Sequence, residues 1–147
     1  MPAKILIADV PVGIERLRRI FTQTPHELVV AKTTKQAADL ALSGDIDLII
    51  CGVHFNDSTM FDCLRLFKGD EKLREIPFIV FQGMDGSLSD GIMESMEMST
   101  TALGACAYVN TSKVGHAAAS DGEILRLIEN CLPERLKSEF NDSTQLA

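Results

Sequence analysis

Five short runs of the chain are apolar without alternation: Ile5 to Ala8, Leu28 to Ala31, Leu48 to Cys51, Phe78 to Phe81 and Ala105 to Val109. A strand with one face in water alternates apolar and polar residues, whereas an unbroken run of this length marks a strand covered on both faces, as in a parallel sheet. Between the runs the apolar residues change period. Ile14, Leu17 and Phe21 form one stripe; Met60, Cys63, Leu64 and Phe67 form a second; Ile124, Leu127, Ile128 and Cys131 form a third, at the spacing of one helix face. Strand and helix therefore alternate, which predicts a parallel α/β sheet with helices on both sides.

The ends of the expected helices carry their own signals. Thr33-x-x-Gln36, Thr59-x-x-Asp62 and Ser120-x-x-Glu123 match or approximate the capping box, in which a hydroxyl and an acidic or amide side chain satisfy free backbone N–H groups. Pro11 suits a first helical turn, where its missing N–H has no partner to lose. Gly44 and Gly69 fall where helices should stop. Strand and helix recur five times, which predicts a flavodoxin-like, doubly wound five-stranded sheet with strand order 2-1-3-4-5 and five helices. The crevice of such a sheet lies beyond the carboxyl ends of its strands, and Asp9, Val10, Gly52, Gln82 and Thr111 are expected to line it.

At 147 residues the chain is one domain's worth, placed at 1–132 with a polar tail or helix extension at 133–147. No apolar run approaches the roughly 18 residues a spanning helix needs, so no membrane partner is expected. Met1-Pro2-Ala3-Lys4 passes straight into strand-like sequence without a signal-peptide core, which predicts a cytoplasmic location. A net charge of −7 argues against nucleic-acid binding, because affinity for phosphate backbones comes largely from Lys and Arg. The four cysteines, at 51, 63, 106 and 131, lack C-x-x-C spacing, and in a reducing compartment they are expected to act as small apolar residues. Cys51, His54 and Cys106 make too poor a ligand set for zinc, and no metal or cofactor is expected.

Four segments in order resemble the receiver domain of bacterial response regulators, the CheY-like family. Lys4-Ile5-Leu6-Ile7-Ala8-Asp9 is similar to its first strand with the terminal carboxylate. Asp47-Leu48-Ile49-Ile50-Cys51-Gly52 is similar to the third strand. Asp70, Leu73-Arg74 and Ile76-Pro77 leading into an apolar run are similar to the entry to the fourth. Gly104-Ala105 followed by Tyr108 is similar to the fifth strand with its switch aromatic. The resemblance covers about residues 4–132.

It implies a missing chemistry. The family's phosphoacceptor aspartate is matched by Gly52, the second strand-end carboxylate by Val10, the hydroxyl residue by Gln82 and the lysine by Thr111, leaving only Asp9. Mg²⁺ demands octahedral oxygen ligation, which one carboxylate does not supply. The resemblance implies an atypical receiver module, not an enzyme, that acts in signal transduction by phosphorylation-independent protein–protein contact. The expected partner is a signalling protein, a histidine kinase or an output protein, or a second copy in a homodimer. Its expected face is helix four, strand five and helix five, with Tyr108, Met93 and Met96, since Met makes adaptable apolar contacts. Two alternatives stand beside it: a phosphorelay receiver phosphorylated at Asp57 or Asp9, and a crevice that binds a small anion or nucleotide.

Overall fold

Strands β1 (Lys4–Ala8), β2 (Glu27–Ala31), β3 (Leu48–Gly52), β4 (Phe78–Gln82) and β5 (Ala107–Asn110) pair in parallel in the order β2-β1-β3-β4-β5. This is the order expected. A computed structural model of the chain describes residues 2–83, 90–111, 120–134 and 136. The helices are α1 (Pro11–Ile20), α2 (Thr34–Leu42), α3 (Met60–Gly69), α4 (Asp90–Ala102) and α5 (Asp121–Glu129), and a single helical turn, Phe55–Ser58, precedes α3.

Successive side chains of a strand point to opposite faces, so the unbroken apolar runs fill two cores. Leu6, Ala8, Ile49, Cys51 and Val80 meet Ala37 and Ala41 of α2 and Cys63, Leu64 and Phe67 of α3 on one face. Ile5, Ile7, Ile50, Ile79 and Phe81 meet Leu17 of α1 and Ile124 and Ile128 of α5 on the other. Inner strands β3 and β4 are buried at every position, while the edge strand β2 is only partly covered. Leu136 is also buried in the second core.

The helix starts follow the sequence in two cases of three. Thr33 Oγ1 accepts from the Gln36 amide at 3.1 Å while Gln36 Oε1 accepts from the Lys32 amide at 2.7 Å, and Ser120 Oγ accepts from the Glu123 amide at 3.1 Å. Thr59 does not cap α3. The helical turn before it offers carbonyls, and its hydroxyl donates to Asn56 O at 2.9 Å instead. Gly44 ends α2 at φ +98°, a backbone state that side chains disfavour. β5 begins at Ala107 rather than Ala105, because the Ala105 amide still closes α4 by bonding Thr100 O at 2.9 Å.

The expectation for the cysteines needs correction. Cys51 and Cys63 are buried thiols, but Cys106 and Cys131 are joined as a disulfide. The start of β5 faces the end of α5, and their Cα atoms lie 6.2 Å apart, within the usual span of about 4.4–6.8 Å.

Candidate functional site

At the carboxyl end of β1 the chain turns at Asp9 into α1, whose N-cap residue Val10 is extended and whose first position is Pro11. Asp9 is only 8% exposed. Its Oδ1 accepts one hydrogen bond, 2.7 Å from the Val10 amide, and its Oδ2 has no hydrogen-bond partner among the described residues. The carboxyl group lies between two glycines, Gly13 in the first turn of α1 and Gly52 at the end of β3. A Cβ placed on either would fall inside the Asp9 carboxylate. Asp9 thus fills the volume that a side chain at position 52 would need. Burial, only partly offset by the Val10 amide, pushes its pKa from 3.8 up to about 7.

A second cluster forms at the ends of β4 and β5. Gln82, 2% exposed, accepts at Oε1 from the Tyr108 hydroxyl at 2.6 Å, and its carbonyl accepts from both the amide and the hydroxyl of Thr111, at 3.1 and 2.9 Å. Gln82 therefore bonds Tyr108 through its side chain and Thr111 through its carbonyl. Tyr108 is half-buried, and burial followed by the charge of Glu97 raises its pKa to about 12.

The expected site residues thus fall into two groups, Asp9 with Val10 and Gly52, and Gln82 with Thr111 and Tyr108. Of the methionines on α4, Met93 is half-buried and its Sδ accepts from Asn110 Nδ2 at 3.1 Å, while Met96 packs on the first core. The exposed large apolar residues of that helix are Ile92 and Met98. Gly13 was missed; its signal is a glycine four positions after the strand-end aspartate, inside a helix, where the residue type otherwise costs stability. The side chain of Asp57, and Met84 with the rest of 84–89, 112–119 and 137–147, lie outside the described residues.

The donor set does not suit Mg²⁺. Asp9 has Val10 and Gly52 as neighbours where a hard cation needs oxygens, and no group of three His, Cys, Asp or Glu suited to a metal occurs among the described residues. A groove of about 560 Å³ opens beside the site between α1 and Gly83, lined by Pro11, Val12, Glu15, Arg16 and Arg19. Its arginines are engaged by Asp121, at 3.1 Å from Arg16 and 2.9 Å from Arg19. No helix among the described residues is long and apolar enough to cross a membrane.

No family model matches the sequence, and no curated protein matches it. Solved structures do match. The chemotaxis response regulator CheY4 of Vibrio cholerae superposes with a TM-score of 0.69 at 16% identity, over 90% of this chain and 100% of that one. A response regulator receiver domain protein from Clostridium thermocellum gives 0.68 at 17% identity, over 92% and 97%. The signal receiver domain of a signal transduction histidine kinase from Syntrophus aciditrophicus gives 0.61 at 24%, over 87% and 91%. The chain has the CheY-like, flavodoxin-like fold. At the end of its β3 stands Gly52, and the carboxylate nearest to it belongs to Asp9.

Proposed function

We propose that the chain is a receiver-type signalling module that works by protein–protein contact without phosphorylation and without an enzymatic activity of its own. One observation carries the reading: Asp9 occupies the volume of a side chain at position 52, so the acceptor position is both empty of a nucleophile and filled by a neighbour. Phosphoryl transfer depends on placing a nucleophile, a metal and cationic groups around the transferred group. Here Gly52, Val10, Gln82 and Thr111 stand in those places, and the last two are tied to each other by hydrogen bonds. The partner is a signalling protein or a second copy of the chain, met at the face of α4, β5 and α5. Tyr108, Met93 and Met96 belong to this face, and Met98, 70% exposed on α4, adds an apolar contact.

The test is intact-mass spectrometry after incubation with Mg²⁺ and acetyl phosphate, beside a reactive receiver. The expected result is an unmodified mass while the control gains a phosphoryl group. An adduct on Asp57 or Asp9 would overturn the phosphorylation-independent reading and make the protein a phosphorelay receiver.

A further inference from the structure

Four cysteines that are scattered in the sequence come together in space as two pairs on opposite faces of the sheet. Cys51 of β3 and Cys63 of α3 are neighbours in the first core, both fully buried. Cys106, just before β5, and Cys131, just after α5, are joined at the second core. This second pair lies at the amino end of the strands, opposite to Asp9 and Gly52. It differs from the first in access, because Cys106 is exposed to solvent and Cys131 is 8% exposed.

We propose that Cys106 and Cys131 form a reversible thiol–disulfide site that exchanges with low-molecular-weight thiols and disulfides of the glutathione type and sets how tightly the end of α5 is held to β5. This rests on the cysteine geometry and is independent of the receiver reading above.

The backbone holds each cysteine in place without help from the sulfur–sulfur bond. The Cys106 amide donates to Phe78 O at 2.7 Å, anchoring it to β4, and the Cys131 amide donates to Ile128 O at 3.0 Å, anchoring it to the last turn of α5. Reduction therefore leaves two thiols side by side, and reoxidation is an intramolecular step with a high effective concentration. The direction of attack follows from access. A small thiolate approaching from the exposed Cys106 side attacks the Cys106 sulfur, forms a mixed disulfide there and releases Cys131 as thiolate, which takes up a proton. A second small thiolate attacks its own sulfur in the mixed disulfide, leaving Cys106 as a thiol and departing as the small-molecule disulfide. Two small thiols are oxidised and one protein disulfide is reduced; oxidised glutathione drives the same steps backward.

The buried pair supplies an internal contrast. Cys51 and Cys63 have no path to solvent, and burial, reinforced by the adjacent Cys63, pushes the Cys51 thiol well above its ordinary value, so little thiolate forms. Reactivity is confined to two of the four sulfurs. Structural consequence is local as well. The start of α5 stays attached through Asp121 to Arg16 and Arg19, Ile124 and Ile128 stay in the second core, and His26 still meets Glu129, so the freedom gained on reduction is confined to the end of the last turn.

The test places the folded full chain in glutathione buffers graded from reduced to oxidised, followed by acid quench, alkylation and peptide mass mapping. Expected is one link, Cys106 to Cys131, that appears with oxidised and vanishes with reduced glutathione while Cys51 and Cys63 stay as thiols. Cys106→Ser should abolish the link and Cys51→Ser should leave it unchanged. Amide hydrogen exchange should be several-fold faster in the last turn of α5 when reduced, with the start of α5 unchanged. Absence of the link in oxidised buffer, a link between Cys51 and Cys63, or a Cys106–Cys131 bond that resists reduced glutathione would overturn the exchange site. Equal exchange rates in the two states would overturn its control of α5.

Discussion

Two residues without side chains enclose the Asp9 carboxyl, and the only hydrogen bond it receives among the described residues comes from the next amide along the chain. An ionised carboxylate in that setting loses its hydration with little in return, which is why the proton is held up to about pH 7. The sign of the stability effect follows directly. Between the ordinary carboxylate value of 3.8 and about 7 the folded chain keeps a proton that the unfolded chain has released, so this group's stabilisation is complete at low pH. It declines as pH rises and is gone above about 7. At roughly 1.4 kcal/mol per pH unit the burden at neutral pH approaches about 4 kcal/mol. Asp9→Asn removes the charge and should make the protein more stable than wild type at pH 8 by up to that amount, with the difference shrinking to near zero at pH 4. Urea denaturation of both proteins at the two pH values measures it. A variant less stable than wild type at pH 8 would mean that the ionised carboxylate is satisfied in the fold.

At the scale of elements the sequence was informative where burial decides the structure. The five unbroken runs became five strands, and the Thr33 and Ser120 caps formed as the spacing indicates. Thr59 failed because a capping box assumes an extended residue before the helix, and here a helical turn runs into it. Cys106 and Cys131 could not be paired from spacing, since their contact depends on where the end of α5 settles against β5. The Asp9 site was legible in its residue types alone: the sequence puts a glycine at position 52, but nothing in it said that Asp9 would take the volume beside that glycine. On α4, Met93 and Met96 are half-buried whereas Ile92 and Met98 are exposed, a division that spacing along the sequence alone does not give. The link between β4 and β5 is equally tertiary, and it can be measured. Tyr108 is the one tyrosine, and the chain has no Trp, so tyrosinate absorbance reports this residue alone. Its midpoint should lie near 12, held up by burial and by Glu97. Glu97→Gln, a change on an exposed position of α4, should move the midpoint down toward 10.0 without altering the folded spectrum. A wild-type midpoint already at 10.0 would place the hydroxyl in water and contradict its bond to Gln82.

Among the described residues, polar connections hold α5 to the rest of the molecule at both of its ends, and they differ in what water can reach. At the start of the helix Asp121 meets Arg16 and Arg19, but the Asp121 side chain is 37% exposed and that of Arg19 63%. Exposed pairs gain little over their hydrated state. At the far end the His26 side chain is completely buried. Its Nδ1 accepts from the Ala3 amide at 3.0 Å, so that nitrogen carries no proton, and its Nε2–H donates to Glu129 at 3.1 Å. One imidazole thus joins the chain entering β1, the chain entering β2 and the last residue of α5. Removing it strands a buried amide as well as deleting two bonds, and a stranded buried donor costs about 1–3 kcal/mol beyond the lost packing. His26→Phe keeps an aromatic ring beside Phe21 and removes both ring nitrogens. It should therefore lower stability by about 2–4 kcal/mol. Asp121→Ala should lower it by less than about 1 kcal/mol. Paired urea titrations decide between the two ends of the helix: a larger loss for Asp121→Ala would mean that the exposed arginine pair, and not the buried imidazole, fixes α5 on the sheet.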